Sequence, residues 1–247
     1  EATVAVLEME PAAVELIGSM ILRQARANLE YSRMMDFIDG EPEAVLAVEL
    51  TGETEAELNA GMDRLESRME RSGLTYAVRR LTRPEDQAKV WAVRKAGLGL
   101  MMNVPGDAKP LPFVEDTAVA PEKLPEFVRR FDEIVRDHGT TAGYYGHASV
   151  GCLHIRPLID LKTVEGVDRL SSISAEISDL VLEFGGAMSG EHGDGLVRSV
   201  WNEKMFGSQL YDAFRQVKRA FDPNGVMNPG KIVDSPPMTE NLRVDPD

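Results

Sequence analysis

Two glycine-rich stretches, residues 143–151 and 185–195, constrain this chain more than any other feature; the second holds five glycines in eleven residues. Glycine inside a helix or strand costs about 0.5–1 kcal/mol relative to alanine, so such a density marks loops. In loops of this kind the backbone turns through positive φ or closely approaches a ligand. The segment between them carries Val167, Leu170, Ile173, Ile177, Leu180, Val181 and Phe184 on one helical face. The first stretch runs into residues 152–159, which read as a strand with alternating faces. Leu153, Ile155 and Ile159 point to a core, and His154 shares the opposite face with Arg156.

The rest of the chain alternates helical and extended patterns. Residues 3–7 are a short β-prone run, and Pro11 is expected to open a helix with Val14, Ile17, Met20 and Ile21 on one side. Residues 45–50 alternate as a strand, and Thr54 to Glu57 form a capping-box signature before a helix closed by Gly73. Residues 74–81 and 113–119 read as further strands, with a helix carrying Trp91 and Arg94 between them. Pro121 opens another helix, striped by Leu124, Phe127, Val128, Phe131, Ile134 and Val135, and a last one runs from about residue 208 to 221. The pattern predicts an α+β fold, with helices covering one face of a mostly antiparallel sheet. The chain starts without an initiator methionine, in what reads as a strand, and so is expected to be a piece of a longer protein.

Charge narrows the partners. Lys and Arg number 27 against 41 Asp and Glu, a net charge of −14, with no basic run. Such a surface repels phosphate backbones, so no nucleic-acid partner is expected. The single Cys152 reads as a small buried hydrophobe in a reducing compartment, and no apolar run approaches a membrane span.

Three of the four histidines, His147, His154 and His192, fall in or beside the glycine-rich stretches. Glycines break the regularity around His147, so its loop can fold back beside His154, and Glu191 adds a carboxylate next to His192. Two His and one Glu with an open position is a ligand set typical of catalytic zinc. His138 has the simpler role of a helix-terminal residue. Gly193-Asp194-Gly195 is too short for a dinucleotide fingerprint.

These motifs carry a family resemblance. The run from Gly146 to His154, GHASVGCLH, resembles the GHxxxGxLH signature of FAD-linked oxidases with the glycolate-oxidase/D-lactate-dehydrogenase type of C-terminal domain. Residues 189–195 resemble that family's SGEHGxG segment, residues 222–231 its DPxGxxNPGK closing segment, and Trp91 to Arg94 its WxxR helix. The resemblance implies the substrate domain, with a ferredoxin-like core over residues 1–233, of a flavoenzyme of the vanillyl-alcohol-oxidase type. FAD would be bound mainly by an N-terminal domain of the same polypeptide, outside this chain. The chain alone is expected to be inactive. The Pro-rich tail, 234–247, resembles the linker of a branch in which an iron–sulfur region follows.

By motif position the resemblance makes His147, His154 and Glu191 metal ligands, most simply of zinc, and His192 the group that takes the substrate hydroxyl proton. Arg94 would grip the carboxylate of a 2-hydroxy acid, Lys109 would loosely substitute for a substrate-side lysine, and Asn228 would approach the flavin. Val150 and Cys152 depart from the commoner Asp and Asn. Arg156, two residues past His154, is expected to reach the distal end of the substrate and favour a dicarboxylate such as D-2-hydroxyglutarate over D-lactate. The electron acceptor is unspecified, and the expected location is cytoplasmic or peripheral to an inner membrane. Two other readings fit part of the pattern: a metal-containing docking module without chemistry, and an alkyl-transfer enzyme of the ether-lipid type.

Overall fold

The computed structural model describes residues 1–244 and Pro246. Its elements begin α1 (Ala2–Leu7), β1 (Ala13–Gly18), α2 (Ser19–Ala27), β2 (Ala44–Glu49), α3 (Glu55–Ser72) and α4 (Pro84–Met102). They continue β3 (Lys109–Pro110), β4 (Thr117–Ala118), α5 (Leu124–Asp137), β5 (Ala142–His147) and β6 (Cys152–Ile159). Helices α6 (Val164–Glu183), α7 (Gly195–Arg198) and α8 (Asn202–Phe221) complete the chain. The tail expected over 234–247 forms no helix or strand among its described residues, and Asp245 and Asp247 lie outside them.

The chain divides into two compact units. The first comprises Glu1–Pro105, Ala120–Pro125 and Gly143–Leu153, and the second Gly106–Val119, Glu126–Ala142 and His154–Asp247. In the first, β1 pairs antiparallel with β2 on one side and with β5 on the other, which sets Glu15 opposite His147. Ile17, Ile21, Leu22, Val93, Leu100, Met101 and Tyr145 share a buried core, joining α2 and α4 to these strands. Gly97 lets α4 come close to α2, because a Cβ there would lie 2.9 Å from Ile21 Cδ1. In the second unit β6 pairs antiparallel with β3, and β4 also pairs with β6. Phe127, Phe131 and Val135 of α5 and Ile173, Ile177 and Val181 of α6 are buried there. The architecture is therefore the α+β arrangement of antiparallel strands and helices read from the sequence.

Four local readings are corrected. Residues 3–7 belong to a helix, because Thr3, Ala5 and Val6 are buried on one side of a turn, and burial outweighs β-propensity. Residues 13–18, read as helical, form β1: Val14 and Ile17 fit a helical period by coincidence, and the helix starts only after Gly18. Residues 74–81 form no strand; Tyr76 Oη and Arg79 instead bond to Asp39 and Asp36, at and just beyond the end of the 3-10 helix Tyr31–Phe37. Residues 113–119 shorten to Thr117–Ala118, because Asp116 adopts φ +71°, which ends an extended run. Helix α4, by contrast, continues through Gly97 and Gly99 to Met102. No described helix is long and apolar enough to cross a membrane.

Candidate active site

In the second unit β6 presents His154, and the loop after α6 presents Glu191 and His192. Nε2 of His154 and Nε2 of His192 each lie 3.3 Å from the same atom, Glu191 Oε1. The two imidazoles stack with centroids 4.7 Å apart and planes 9° from parallel. Together with Asp116, one ligand atom from each of these residues falls within 4.8 Å of the others. His154 is buried, whereas Glu191 and His192 keep about two-fifths of their side chains exposed, at 44% and 40%. The His154 nitrogen and the Glu191 carboxylate oxygen are donors of the kinds that zinc takes.

The loop owes its shape to Asp116. That side chain is fully buried and accepts from Ser189 Oγ at 2.5 Å and from the amides of Glu191 and His192 at 3.1 and 2.8 Å. Its carbonyl accepts from the amide of Gly190 at 2.7 Å. Arg198 ties the same segments together from the other end, donating to the carbonyls of Pro112, Glu115 and Gly193. Neither residue was expected in the site from the sequence. The signal was there, though: Glu115-Asp116 is an acidic pair inside an apolar run.

In the first unit Glu15 of β1 is the organising residue, and it too was missed. It is buried, and its Oε1 accepts from His147 Nδ1 at 2.7 Å. Its Oε2 accepts from Arg94 Nε at 2.8 Å and lies 2.7 Å from Nη2. The Arg94 guanidinium also lies 5.1 Å from the centre of the Tyr145 ring. A carboxylate on Nδ1 orients the His147 ring, a pattern also found behind metal-bound histidines.

The remaining expected residues are placed as follows. Lys109 lies in β3, half-buried, opposite Ile159. Arg156 is buried and paired with Glu115. Asn228 is exposed with φ +46°, in a turn built on Asp222. Asp222 accepts from Lys218 Nζ at 2.7 Å and from the amides of Val226 and Met227, each at 2.9 Å. The Lys218 contact and then these amides hold its carboxyl down to about 2. A depressed carboxyl stabilises the fold above its unfolded pKa, near 3.9, and loses that contribution as pH falls through about 2. Asp222→Asn is accordingly expected to speed amide exchange at Val226 and Met227 at neutral pH, with the difference from wild type disappearing near pH 2. Equal exchange at neutral pH would show that the turn does not depend on this carboxylate.

On this α+β scaffold β5 carries His147, β6 carries His154, and a glycine-rich loop carries Glu191 and His192. A profile described as FAD linked oxidases, C-terminal domain, matches residues 1–232, and the chain belongs to that family. It is 34% identical over 238 residues to a D-2-hydroxyglutarate dehydrogenase of Pseudomonas putida and 32% identical over 238 residues to one of Escherichia coli K12. In each case the alignment covers 92% of this chain and 23% of the relative, so the chain spans about a quarter of the length of these proteins. A glycolate oxidase subunit GlcD of Bacillus subtilis is 27% identical over 189 residues, 76% of this chain and 39% of that protein. Among solved structures, p-cresol methylhydroxylase shares the fold, with a TM-score of 0.59 at 14% identity over 90% of this chain and 47% of that one.

Proposed function

We propose that this chain is the substrate-binding part of a flavin-dependent dehydrogenase that oxidises a D-2-hydroxy acid of the D-2-hydroxyglutarate or D-lactate class. The observation that carries this reading is the convergence of two imidazole Nε2 atoms on Glu191 Oε1, over a loop held by a buried aspartate. Its support from relatives is their naming for D-2-hydroxyglutarate, D-lactate and glycolate oxidation. Residues 1–233 would form this part and 234–247 a linker. An N-terminal domain of the same polypeptide would bind FAD, with Asn228 approaching the flavin. The iron–sulfur region beyond the tail is proposed on the resemblance of the tail alone.

The proposed metal would be held by His154 and Glu191, with His147 as third ligand by motif position and His192 outside the inner shell. A divalent ion bound there supplies Lewis acidity that lowers the pKa of the substrate hydroxyl. The flavin supplies the hydride acceptor. This chain's own residues bind, orient and move the proton. Arg94 grips the substrate carboxylate through a planar fork that a lysine cannot reproduce, and Lys109 adds a cation on the substrate side. His192 takes the hydroxyl proton, a task an imidazole nitrogen can perform as a general base.

Two measurements test the proposal. Full-length protein assayed with D-2-hydroxyglutarate, D-lactate and glycolate, using an artificial electron acceptor, is expected to oxidise at least one; no turnover of any would overturn it. Zinc-loaded wild type is expected to retain about one ion per chain, and a His147→Ala/His154→Ala double variant almost none. Equal zinc in both would refute the ligand assignment.

A further inference from the structure

Behind His192 lies a buried ion pair that the proposed chemistry leaves unused. Glu115 and Arg156 are only 5% and 6% exposed, and Arg156 Nη2 sits 2.5 Å from Glu115 Oε2. The other oxygen, Oε1, lies 3.3 Å from His192 Nδ1. The sequence pattern aimed Arg156 at the distal end of a substrate. In the fold it sits on the buried face of β6, with a carboxylate against its guanidinium.

We propose that Glu115 is a positioning residue for His192, and that Arg156 acts through Glu115 by holding that carboxylate in place. Glu115 Oε1 lies 3.3 Å from Nδ1, on the ring edge away from the Glu191 contact at Nε2, so this carboxylate fixes how the imidazole is turned. Three constraints hold the ring: Asp116 on the backbone amide, the stack on His154, and Glu115 on Nδ1. A carboxylate that orients an imidazole is a known way of making a histidine an effective base. Burying this carboxylate without a partner would be costly, which explains a nearly buried guanidinium at Arg156. The inference rests on the reading of His192 as the base.

The test uses full-length enzyme with three changes. Arg156→Met removes the clamp, Glu115→Leu/Arg156→Met removes both charges at similar volume, and Glu115→Gln keeps the shape without the charge. Exchanging both members of a buried pair for apolar groups is commonly tolerated, so the double variant is expected to fold. Should it not, Glu115→Gln decides alone. Each is expected to lower kcat about a hundredfold for D-2-hydroxyglutarate and D-lactate alike, with KM within about threefold and zinc content unchanged. Crystal structures of the variants are expected to show the His192 ring displaced from its stack on His154. A rise in KM confined to the dicarboxylic substrate in Arg156→Met would put that residue on the substrate and overturn the proposal. So would a kcat within about threefold of wild type, or loss of zinc together with activity. If wild type oxidises no 2-hydroxy acid, the functional reading fails by itself; the ring position then decides, and an undisturbed His192 overturns the positioning role as well.

Discussion

Asp116→Ala is expected to destabilise the protein by about 3–5 kcal/mol and to abolish retention of the proposed metal. The carboxylate accepts from one hydroxyl and two amides, all on residues 189–192. Removing it strands those donors, and a buried unsatisfied donor costs about 1–3 kcal/mol. Alanine also fits φ +71° poorly, where aspartate is among the few residues that tolerate the left-handed region. The amides of Glu191 and His192 are held by these bonds, so the loss should reach Glu191, a ligand of the proposed metal, as well as the fold. Asp116→Asn keeps one acceptor oxygen and the backbone preference, so its cost should be about half. Urea unfolding at neutral pH, with zinc analysis of the folded fraction, measures both. A change below about 1 kcal/mol with normal zinc would mean that the loop holds itself.

This dependence shows where sequence reading succeeds and where it stops. Strand β6 was legible to the residue, because its alternation and its glycine boundary are local. The loop of Glu191 and His192 was legible as a motif, but its anchor lies 76 positions upstream of His192 and is joined to it only by folding. Glu15 shows the same limit more strongly. Its partner His147 is 132 positions away, and the contact exists because β1 and β5 pair in one particular register. That register could not be foreseen while residues 13–18 read as helical. Val14, Ile17 and Ile21 sit at spacings of three and four, which a helix shares with a strand that turns into a helix at Gly18. An apolar run containing one acid, Ala-Val-Glu-Leu-Ile-Gly, was the available hint, since carboxylates are seldom buried without a partner. The faces of β6 were also correctly separated, yet the face of His154 and Arg156 is as dry as the core face. Exposure of the second face depends on what covers it, and alternation carries no information about that.

The proposed role of Arg94 leads to the largest expected kinetic effect. Its guanidinium meets Glu15 along one edge, through Nε and Nη2, and it is only 11% exposed at the side chain. Two roles are compatible with such a residue: a clamp for Glu15, and through it for His147, or a preorganised fork for a substrate carboxylate. A guanidinium carries five donors, so occupying one edge leaves it able to serve both. Loss of a charge-assisted hydrogen bond costs about 1.5–3 kcal/mol. Two such bonds to a carboxylate correspond to roughly 10²–10⁴ in kcat/KM. Arg94→Leu is therefore expected to lose about a thousandfold for every 2-hydroxy acid the full-length enzyme accepts. That variant alone does not separate the roles, because it also leaves Glu15 buried beside His147 with its main cation gone. Arg94→Lys does separate them. Lysine preserves the charge opposite Glu15 but offers a point donor in place of a planar fork. If Arg94 binds substrate, Arg94→Lys keeps its zinc and its melting temperature yet loses about a hundredfold in kcat/KM, mostly in KM. Efficiency within about fivefold of wild type would confine Arg94 to holding Glu15 and move the carboxylate contact to another cation.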